Sequence, residues 1–174
     1  MTYTLRDAVH ADLPAIRDIY NDAVLNTTAI WNEQAVDLGN RQAWFSARQS
    51  QGYPILVIVD GDNTVLGYAS FGDWRPFDGF RHTVEHSVYV DARFRGQKVG
   101  KRLLQEIITA AQRHDYHIMV GAIDASNAVS IRLHESLGFT SCGIIRQAGF
   151  KFNRWLDLAF YQLILTTPAN PRDG

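Results

Sequence analysis

The chain has very little cysteine, almost no net charge and no long apolar run. Its single cysteine, Cys142, excludes an intramolecular disulfide framework and any multi-cysteine zinc site. The formal net charge of -1 argues against a nucleic-acid partner, since proteins that bind nucleic acids are usually basic. The longest apolar run, Tyr53 to Val59, is far too short to span a bilayer, and the first residues lack a signal-peptide pattern. We therefore expect a soluble, cytoplasmic protein with no membrane partner and no bound metal.

The length and composition are those of one domain. The chain has 174 residues, of which 46% are hydrophobic, and this is enough to fill a single core. No linker or internal repeat interrupts the chain. We expect one domain over residues 1–165 and a flexible C-terminal tail over residues 166–174, where Pro168 and Pro171 lie.

Hydrophobic periodicity and turn residues predict a mixed sheet with helices on both faces, which is an α/β fold. A first helix is predicted after Asp12, which can act as its N-cap, and a second from Leu38 to about Gln49. The segment from Asp60 to Asn63 is typical of a hairpin turn between two strands. The predicted strands are residues 3–6, 54–59, 65–71, 81–90, 117–123, 141–149 and 153–163.

The most informative segment is the strand, turn and helix over residues 88–104. The turn over residues 95–98 is basic and contains glycine, and an amphipathic helix follows directly. A helix N-terminus presents unpaired backbone N–H groups and a partial positive charge, and glycine lets a phosphate approach the backbone closely. We therefore expect an anionic ligand, and a pyrophosphate fits best. A Walker phosphate loop does not match, since Lys101 and Arg102 follow Gly100, and the dinucleotide motif does not match, since only two of its three glycines, Gly96 and Gly100, are present.

This segment resembles the acetyl-CoA-binding signature of the GCN5-related N-acetyltransferases (GNAT), Arg/Gln-x-x-Gly-x-Gly/Ala between a strand and a helix. The matching residues are Arg95, Gly96, Val99 and Gly100, and Lys98 stands where the pattern usually has its middle glycine. An ammonium group at this position is electrostatically suited to a pyrophosphate. An ordinary basic strand-to-helix turn is the alternative that this segment alone leaves open.

A second segment makes the resemblance more specific. Residues 124–139 resemble the other signature of the same superfamily, in which an asparagine opens a short helix that ends in Gly-Phe. Ser126 or Asn127 can cap this helix, and Gly138 suits its C-terminal end. Residues 30–32, 71–90 and 149–157 resemble the branch that acetylates phosphinothricin and methionine derivatives. The resemblance covers nearly the whole chain and implies a single-domain fold with a mostly antiparallel sheet of about seven strands.

The resemblance implies that acetyl-CoA is the acetyl donor and that no metal takes part. Backbone groups of residues 88–90 are expected to pair with the pantetheine arm, as a sheet edge pairs with a peptide. The turn and the helix N-terminus would bind the pyrophosphate, Asn127 the pantetheine near its thiol end, and Ser136 a more distal part. The expected acetyl-CoA-binding residues are Val88, Tyr89, Val90, Arg95, Gly96, Gln97, Lys98, Val99, Gly100, Lys101, Asn127 and Ser136.

Acetyl transfer to an amino acid needs a base, because amino-acid amines are mostly ammonium ions at pH 7. Glu85 is the expected general base, since it lies in the strand directly before the turn and the resemblance places a catalytic glutamate here. The alternative is an exposed strand carboxylate. His134 occupies the slot where many superfamily members have a tyrosine that protonates the leaving thiolate. Its ordinary pKa of about 6.5 allows proton donation near neutrality, and a structural role is equally open.

The acceptor is expected to bind at the loop over residues 74–80 and the strand that follows it. Arg75 can form a bidentate pair with a carboxylate and would orient an amino acid by its α-carboxyl group. The flanking aromatic residues would form an apolar wall; in the alternative they belong to the core and Arg75 is a solvated loop residue. The expected acceptor-binding residues are Trp31, Trp74, Arg75, Pro76, Phe77, Phe80, Glu85, His86 and Ser87.

We therefore expect acetyl-CoA-dependent N-acetylation of the α-amine of a small amino acid or analogue, namely methionine sulfoximine, methionine sulfone or phosphinothricin. Direct transfer is expected, because no base or helix N-terminus is evident beside Cys142 for an acyl-enzyme. The alternatives are another acceptor (a protein N-terminus, a polyamine or an aminoglycoside) and a non-catalytic acyl-CoA-binding sensor. The resemblance also implies a homodimer, in which Lys151, Arg154 and Trp155 of one subunit would reach the acceptor site of the other.

Overall fold

One sheet of seven strands runs through the molecule, and the computed structural model describes residues 2–168 and 170–171 of the chain. The strands are β1 (Thr4–Asp7), β2 (Ile55–Val59), β3 (Val65–Asp73), β4 (Thr83–Val90), β5 (Ile118–Asp124), β6 (Thr140–Lys151) and β7 (Arg154–Ile164). The helices are α1 (Leu13–Asn26), α2 (Leu38–Ser50), α3 (Val99–Arg113) and α4 (Ala128–Ser136). The strand order is β1-β2-β3-β4-β5-β7-β6. This is the mixed, mostly antiparallel α/β architecture that the sequence predicts.

β4 and β5 run parallel, and the other paired strands run antiparallel. The parallel pairing extends only from Thr83 opposite Ile118 to Glu85 opposite Val120. Both strands continue further, but there β4 pairs with β3 and β5 pairs with β7. The sheet therefore has a gap between the carboxyl ends of β4 and β5, and the gap begins just after Glu85.

Helices cover the two faces of the sheet and give the core two apolar clusters. On one face, α3 packs against β2, β3 and β4, and its Leu103, Leu104 and Ile107 are completely buried. On the other face, α1 and α2 pack over β3, with Ile16 and Phe45 buried among them. Each fully buried aliphatic side chain contributes roughly 1.5–3 kcal/mol. The helices therefore hold β3 and β4 firmly and leave the gap beside β4 as the irregular part of the sheet.

The predicted strands and helices are present, and their boundaries differ from the prediction by at most two residues. Asp12 is the N-cap residue of α1, as predicted, but its side chain makes no capping hydrogen bond, because its carboxylate accepts from the Val9 N–H and the Arg6 guanidinium. The last strand also begins later than predicted. Phe152 and Asn153 have φ values of 51° and 57°, and such left-handed pairs form two-residue hairpin turns.

The expected C-terminal tail begins directly after a buried residue, Leu165. Within it, the hydroxyl of Thr167 lies 2.8 Å from Nδ1 of His117. Ala169 and residues 172–174 lie outside the described residues, so the flexible tail stays a prediction. In the described part of the chain, no helix is both long and apolar enough to cross a bilayer.

Candidate active site

The gap between β4 and β5 leads from Glu85 to the beginnings of α3 and α4. α3 follows β4 and α4 follows β5, so both helices begin near the open ends of the two strands. Beyond Glu85, the β5 side of β4 has no strand partner among the described residues. An unpaired strand edge binds extended, amide-bearing chains through main-chain hydrogen bonds. The edge that the sequence assigns to the pantetheine arm, residues 88–90, is therefore left open by the fold.

The turn before α3 contains two left-handed residues, Gly96 with a φ of 78° and Lys98 with a φ of 65°. A Cβ at Gly96 would meet no atom within 4 Å, so glycine serves the backbone conformation here and not close packing. Lys98 is the N-cap residue of α3, and its conformation costs a non-glycine residue roughly 1–2 kcal/mol. This cost gives a physical reason for the glycine that usually stands at this position in the signature.

The first residues of α3 offer positive charge and backbone donors. Lys98 and Lys101 are exposed, whereas Val99 is only 1% exposed and anchors the helix in the core. Gly100 lies close to β4, since a Cβ built on it would be 3.5 Å from the Val90 side chain. A helix N-terminus with two ammonium groups beside it is suited to a pyrophosphate.

Two side chains of the turn contact the N-terminal part of the chain. Nη2 of Arg95 lies 2.6 Å from Oδ2 of Asp22 on α1, which makes an ion pair at the surface. Oε1 of Gln97 accepts a hydrogen bond from the hydroxyl of Tyr3 over 3.1 Å. These contacts fix the turn against α1 and the first strand, and they occupy side-chain groups that the sequence assigns to the donor.

Asn127 and Ser136 lie at the two ends of α4. Asn127 is the N-cap, and its Oδ1 accepts the backbone N–H of Ser130 over 3.1 Å. Asn127 is exposed, so its amide NH2 group can still donate to a ligand. Ser136 donates to the carbonyl of Leu133 over 2.7 Å and is also exposed. Of the two caps that the sequence allows, the structure uses Asn127.

Glu85 is half-buried where the gap begins. Its Cα partners are Gly72 on β3 and Val120 on β5, and directly opposite residues project from the same face of a sheet. Ser87 lies two residues along β4 and shares this face. Burial raises the pKa of Glu85, and the charge of Arg48 on α2 opposes the rise. A carboxylate with a raised pKa is a better acceptor of a proton from an ammonium ion.

His86 and His134 form a pair on the opposite face of the sheet from Glu85. His86 directly follows Glu85 in β4, so its side chain points to the other side. Nδ1 of His134 donates to the carbonyl of Ser130 over 2.7 Å. Nε2 of His134 lies 3.0 Å from Nε2 of His86. A neutral His134 with its proton on Nδ1 therefore accepts the Nε2–H of His86.

The histidine pair is uncharged near pH 7. Burial, and to a smaller extent the neighbouring His134, lowers the pKa of His86 to about 3. Burial also lowers the pKa of His134. Gly121 on β5 leaves room for both rings, because a Cβ there would lie 3.0 Å from Nε2 of His86 and 3.3 Å from the His134 ring.

Trp74 is the residue of the 74–80 loop that packs onto the sheet. Its ring meets that of Phe160 on β7 edge to face, with the centroids 5.4 Å apart. Phe160 is the Cα partner of Ala122 on β5, beyond the gap. The exposed Arg75 guanidinium lies 5.6 Å from the Trp74 ring centroid. Among the ion pairs of the described residues, none uses Arg75.

The remaining loop residues assigned to the acceptor lie at the surface. Pro76 is exposed, Phe77 is 67% exposed and Phe80 is 39% exposed. Trp31 comes from the segment between α1 and α2 and lies over Gly149 of β6, where a Cβ would be 2.1 Å from its ring. The structure therefore brings Trp74 and Trp31 onto the sheet and leaves the other three at the surface.

Residues 15–139 match the family model described as the acetyltransferase (GNAT) family. The chain belongs to this family. It is 61% identical to an L-methionine sulfoximine/L-methionine sulfone acetyltransferase from Pseudomonas paraeruginosa, over 95% of this chain and 96% of the relative. A ribosomal-protein-alanine N-acetyltransferase from Brucella melitensis is 52% identical with a TM-score of 0.91, covering 93% of this chain and 99% of that one. A phosphinothricin acetyltransferase from Sinorhizobium meliloti in complex with acetyl-CoA is 37% identical with a TM-score of 0.95, covering 99% and 94%.

This GNAT enzyme is an N-acetyltransferase, and acetyl-CoA is its acetyl donor. The residues present suit that donor. The open edge of β4 offers backbone partners to the amides of the pantetheine arm, and the basic N-terminus of α3 suits the pyrophosphate. Among the described residues, no group of three His, Cys, Asp or Glu side chains is placed to hold a metal ion.

Sequence reasoning missed Arg48, which lies beside Glu85. The residue is one of several polar positions on α2, and nothing in its local pattern distinguishes it. It becomes notable only through Gly72, whose missing side chain leaves the space that the guanidinium occupies. A glycine inside a strand that a neighbouring backbone or side chain approaches closely is the one signal the sequence offered.

The cross-subunit role expected of Lys151 is wrong. Lys151 is 1% exposed, and its ammonium group donates to the carbonyls of Val24, Thr27 and Ile30 in its own chain. It therefore joins the end of β6 to the C-terminal end of α1 and the segment after it. Arg154 and Trp155, which the sequence groups with Lys151, are both exposed.

Proposed function

We propose that this N-acetyltransferase acts on the α-amine of a small amino acid of the methionine sulfoximine or methionine sulfone type, with Glu85 as the general base. The acceptor class is supported by the substrates in the name of the Pseudomonas paraeruginosa relative, whose similarity covers 95% of this chain. Phosphinothricin, in the name of the Sinorhizobium meliloti relative, belongs to the same chemical class of amino-acid analogues.

The position of Glu85 is the observation that carries the proposal. Glu85 is the last residue of β4 that pairs with β5, so its side chain stands where the gap begins. The open edge of β4 runs from this point towards α3. The edge would hold the pantetheine arm, and the N-terminus of α3 would hold the pyrophosphate, so that base and donor share one gap.

Glu85 accepts the proton that the acceptor ammonium group must lose before it can attack. When bound, acetyl-CoA supplies an acetyl thioester, whose C–S bond is exchanged for a C–N bond to the acceptor. Glu85 takes a proton from the acceptor ammonium group, directly or through one water, and so leaves the nitrogen lone pair free for attack. Its half-buried position raises its pKa and thereby strengthens it as a base.

Arg75 binds the α-carboxylate of the acceptor in this proposal. Its guanidinium is exposed and lies beside the Trp74 ring, and arginine binds carboxylates through two parallel hydrogen bonds. Trp74 against Phe160 and Trp31 over Gly149 provide apolar surface on the same sheet. This arrangement suits an acceptor with one negative group and an uncharged side chain.

In this proposal, His134 has a structural role and does not donate a proton to the leaving thiolate. Its Nδ1–H is bound to the Ser130 carbonyl, and its Nε2 faces His86. Because burial lowers its pKa, it holds no second proton near pH 7 that it could give to a thiolate. The pair therefore fixes α4 against β4. The nitrogen loses its second proton to solvent after the attack, and the thiolate takes its proton from solvent.

A protein N-terminus is the second candidate acceptor. The Brucella melitensis relative carries a ribosomal-protein alanine in its name and is 52% identical to this chain. Such an acceptor would offer its first amine to the same base. It would have no free α-carboxylate for Arg75, so the two acceptors are distinguishable by the need for this arginine.

The enzyme also forms a homodimer in this proposal. Ile144, Ile145, Phe150, Phe152 and Trp155 belong to the hairpin of β6 and β7, and each is about half exposed or more. β6 is moreover the last strand of the sheet, and an exposed apolar edge strand favours association. A second copy of this chain would cover this surface.

The acceptor is tested by thiol release from acetyl-CoA with a panel of amines. The panel contains methionine sulfoximine, methionine sulfone, phosphinothricin, a peptide beginning with alanine, spermidine and kanamycin. We expect turnover on the first three. Turnover confined to the peptide would establish the second candidate, and turnover confined to spermidine or kanamycin would overturn both. Acetyl-CoA binding without turnover on any of these amines would overturn the proposed acceptor class.

The base is tested by Glu85→Gln. We expect kcat to fall by about 100-fold or more, because general-base catalysis contributes factors of this size. The Kd of acetyl-CoA should not change, since the β4 backbone and α3 are untouched. Glu106→Gln, which removes the same charge from the half-exposed side of α3, is the matched control. A Glu85→Gln rate within about twofold of the wild type would show that Glu85 is not the base.

A further inference from the structure

The guanidinium of Arg48 fills the space where Gly72 lacks a side chain. A Cβ built on Gly72 would lie 1.5 Å from Nη1 of Arg48 and 2.7 Å from its Cζ. The same Nη1 donates a hydrogen bond to the carbonyl of Phe71 over 2.8 Å. Arg48 is therefore held at one place over β3, and no residue larger than glycine at position 72 would leave it there.

This place is directly beside Glu85. Gly72 and Glu85 are Cα partners in the antiparallel pairing of β3 with β4. The Cβ positions of such partners lie about 4.5–5.5 Å apart on the same face of the sheet. The guanidinium occupies the Cβ position of Gly72, so it is the neighbour of the Glu85 side chain. None of the described ion pairs joins the two groups, and Arg48 therefore acts on Glu85 through its charge and not through a hydrogen bond.

The other charged and titratable groups near this pair are few. Tyr53, on the segment before β2, donates its hydroxyl proton to the carboxylate of Asp73 at the end of β3. Burial lowers the pKa of Arg48. Both of these groups and Glu85 stabilise its positive charge and so oppose this lowering. Tyr89 interacts with Glu85 from β4, and its pKa is raised, chiefly by burial.

Arg41, two turns earlier on α2, has the opposite effect on the positive charge of Arg48. Its charge lowers the pKa of Arg48, and its guanidinium is buried over the ring of Tyr20 at 4.1 Å. The histidine pair lies on the other face of the sheet. Arg48 is therefore the cation that the fold places beside Glu85.

A general base must be ionised at the pH at which it works. Burial of Glu85 favours its neutral form, which cannot accept a proton, and a nearby cation favours the carboxylate. We propose that Arg48, seated over Gly72, is a positioning residue that keeps Glu85 ionised while Glu85 stays half-buried at the gap. This inference rests on the proposed function, in which Glu85 is the base.

The inference is tested by the pH profile of kcat/KM for the acceptor in Arg48→Gln. Removal of the cation should move the acidic limb of the profile to higher pH by about one unit, which is a loss of about tenfold on that limb. At the alkaline plateau the rate should recover to within about twofold of the wild type. Ionisation of the acceptor amine also shapes the profile, but it is the same for every variant.

Three further variants distinguish the effect of the positive charge at residue 48 from the effect of the shape of its side chain. Arg48→Lys keeps a positive charge and should return the limb towards the wild-type position. Gly72→Ala keeps Arg48 but expels its guanidinium, and it should move the limb in the same direction as Arg48→Gln. Arg17→Gln, which removes an equal charge from the ion pair with Asp18 on α1, is the control and should leave the limb in place. A uniform loss at every pH with an unmoved limb in Arg48→Gln would overturn the inference.

A direct titration distinguishes failure of this inference from failure of the proposed function. The Glu85 carboxyl is followed by NMR in protein with 13C-labelled glutamate, and Glu85→Gln assigns its signal. The midpoint should rise in Arg48→Gln and in Gly72→Ala, and it should return in Arg48→Lys. A midpoint that does not move refutes the role of Arg48, whatever the rates. An active Glu85→Gln enzyme refutes the base, whatever the midpoint.

Discussion

Lys98 combines an unfavourable backbone conformation with a useful charge. Its φ of 65° costs roughly 1–2 kcal/mol in any residue other than glycine. The side chain is exposed at the N-terminus of α3, where its ammonium group adds to the positive end of the helix. Lysine stands where the signature that this segment resembles usually has a glycine, and the left-handed backbone gives the cost of a side chain there.

Lys151 is the residue whose loss should cost the most stability outside the apolar core. In Lys151→Met, the carbonyls of Val24, Thr27 and Ile30 lose their shared donor in a buried place. We expect the free energy of unfolding to fall by about 3 kcal/mol. For a chain of this size the melting temperature should fall by roughly 10 °C, as measured by circular dichroism.

The control for Lys151→Met is Arg154→Gln in the same hairpin. Arg154 is exposed, so its loss should change the free energy of unfolding by less than about 0.5 kcal/mol. Equal stability of Lys151→Met and the wild type would mean that the three carbonyls find water or other donors, and that the lysine does not hold this region together.

At the level of elements, the segment between α1 and α2 is fixed to the outer strands at several points. Lys151 of β6 binds its carbonyls, and the hydroxyl of Thr28 donates to the carboxylate of Asp124 at the end of β5. Trp31 donates from Nε1 to the Thr28 carbonyl over 2.9 Å and lies on Gly149. These contacts explain how a segment without regular structure presents Trp31 to the sheet.

Gly149→Ala should expel the Trp31 ring from β6, because the new Cβ would lie 2.1 Å from it. If Trp31 contacts the acceptor, the acceptor KM should rise about three- to tenfold, in line with the value of one aromatic contact. The KM of acetyl-CoA should not change. Tryptophan fluorescence should shift to the red, and this shift should be absent in the Trp31→Phe background.

Gly61→Ala, in the turn between β2 and β3, is the control for Gly149→Ala, since a Cβ there meets no atom within 4 Å. It should leave both KM values and the fluorescence unchanged. A fluorescence shift in Gly149→Ala with an unchanged acceptor KM would place Trp31 outside the acceptor site, although it would confirm the packing.

At the level of the whole molecule, the two ends of the sheet differ in their surfaces. α1 and α2 cover the β1 to β4 half on one face, while the hairpin of β6 and β7 carries half-exposed Ile145, Phe150 and Trp155. Phe150 and Trp155 are Cα partners whose rings meet edge to face, 5.7 Å apart. Such a cluster is suited to a two-fold interface, in which the same surface of each copy takes part.

Trp155→Glu should abolish the homodimer, because a carboxylate would be buried without a partner in its interface. Sedimentation velocity at several protein concentrations should show a dimer for the wild type and a monomer for the variant. Val9→Glu, which adds a charge at a half-exposed apolar residue beyond the other end of the sheet, should remain dimeric. A wild-type enzyme that stays monomeric at every concentration would contradict the proposal.

Much of the fold was predictable because it depends on local patterns. Apolar spacing predicted α3, and turn residues predicted the hairpin between β2 and β3. The strand, basic turn and helix after residue 88 were predictable for the same reason, and the pyrophosphate site assigned to them stays a prediction. The side-chain partners of Asp12 and Lys151, among them Arg6 and Val24, were not predictable, because the packing of separate elements determines them.

By itself, the sequence determined the elements and their order, since each element depends on residues that are neighbours along the chain. Only the tertiary structure decided where β4 and β5 stop pairing and that Glu85 stands at that point. It also decided that Gly72 faces Glu85 and leaves room for Arg48. Register and empty space are properties of strands and helices packed together, and no stretch of the chain carries them alone.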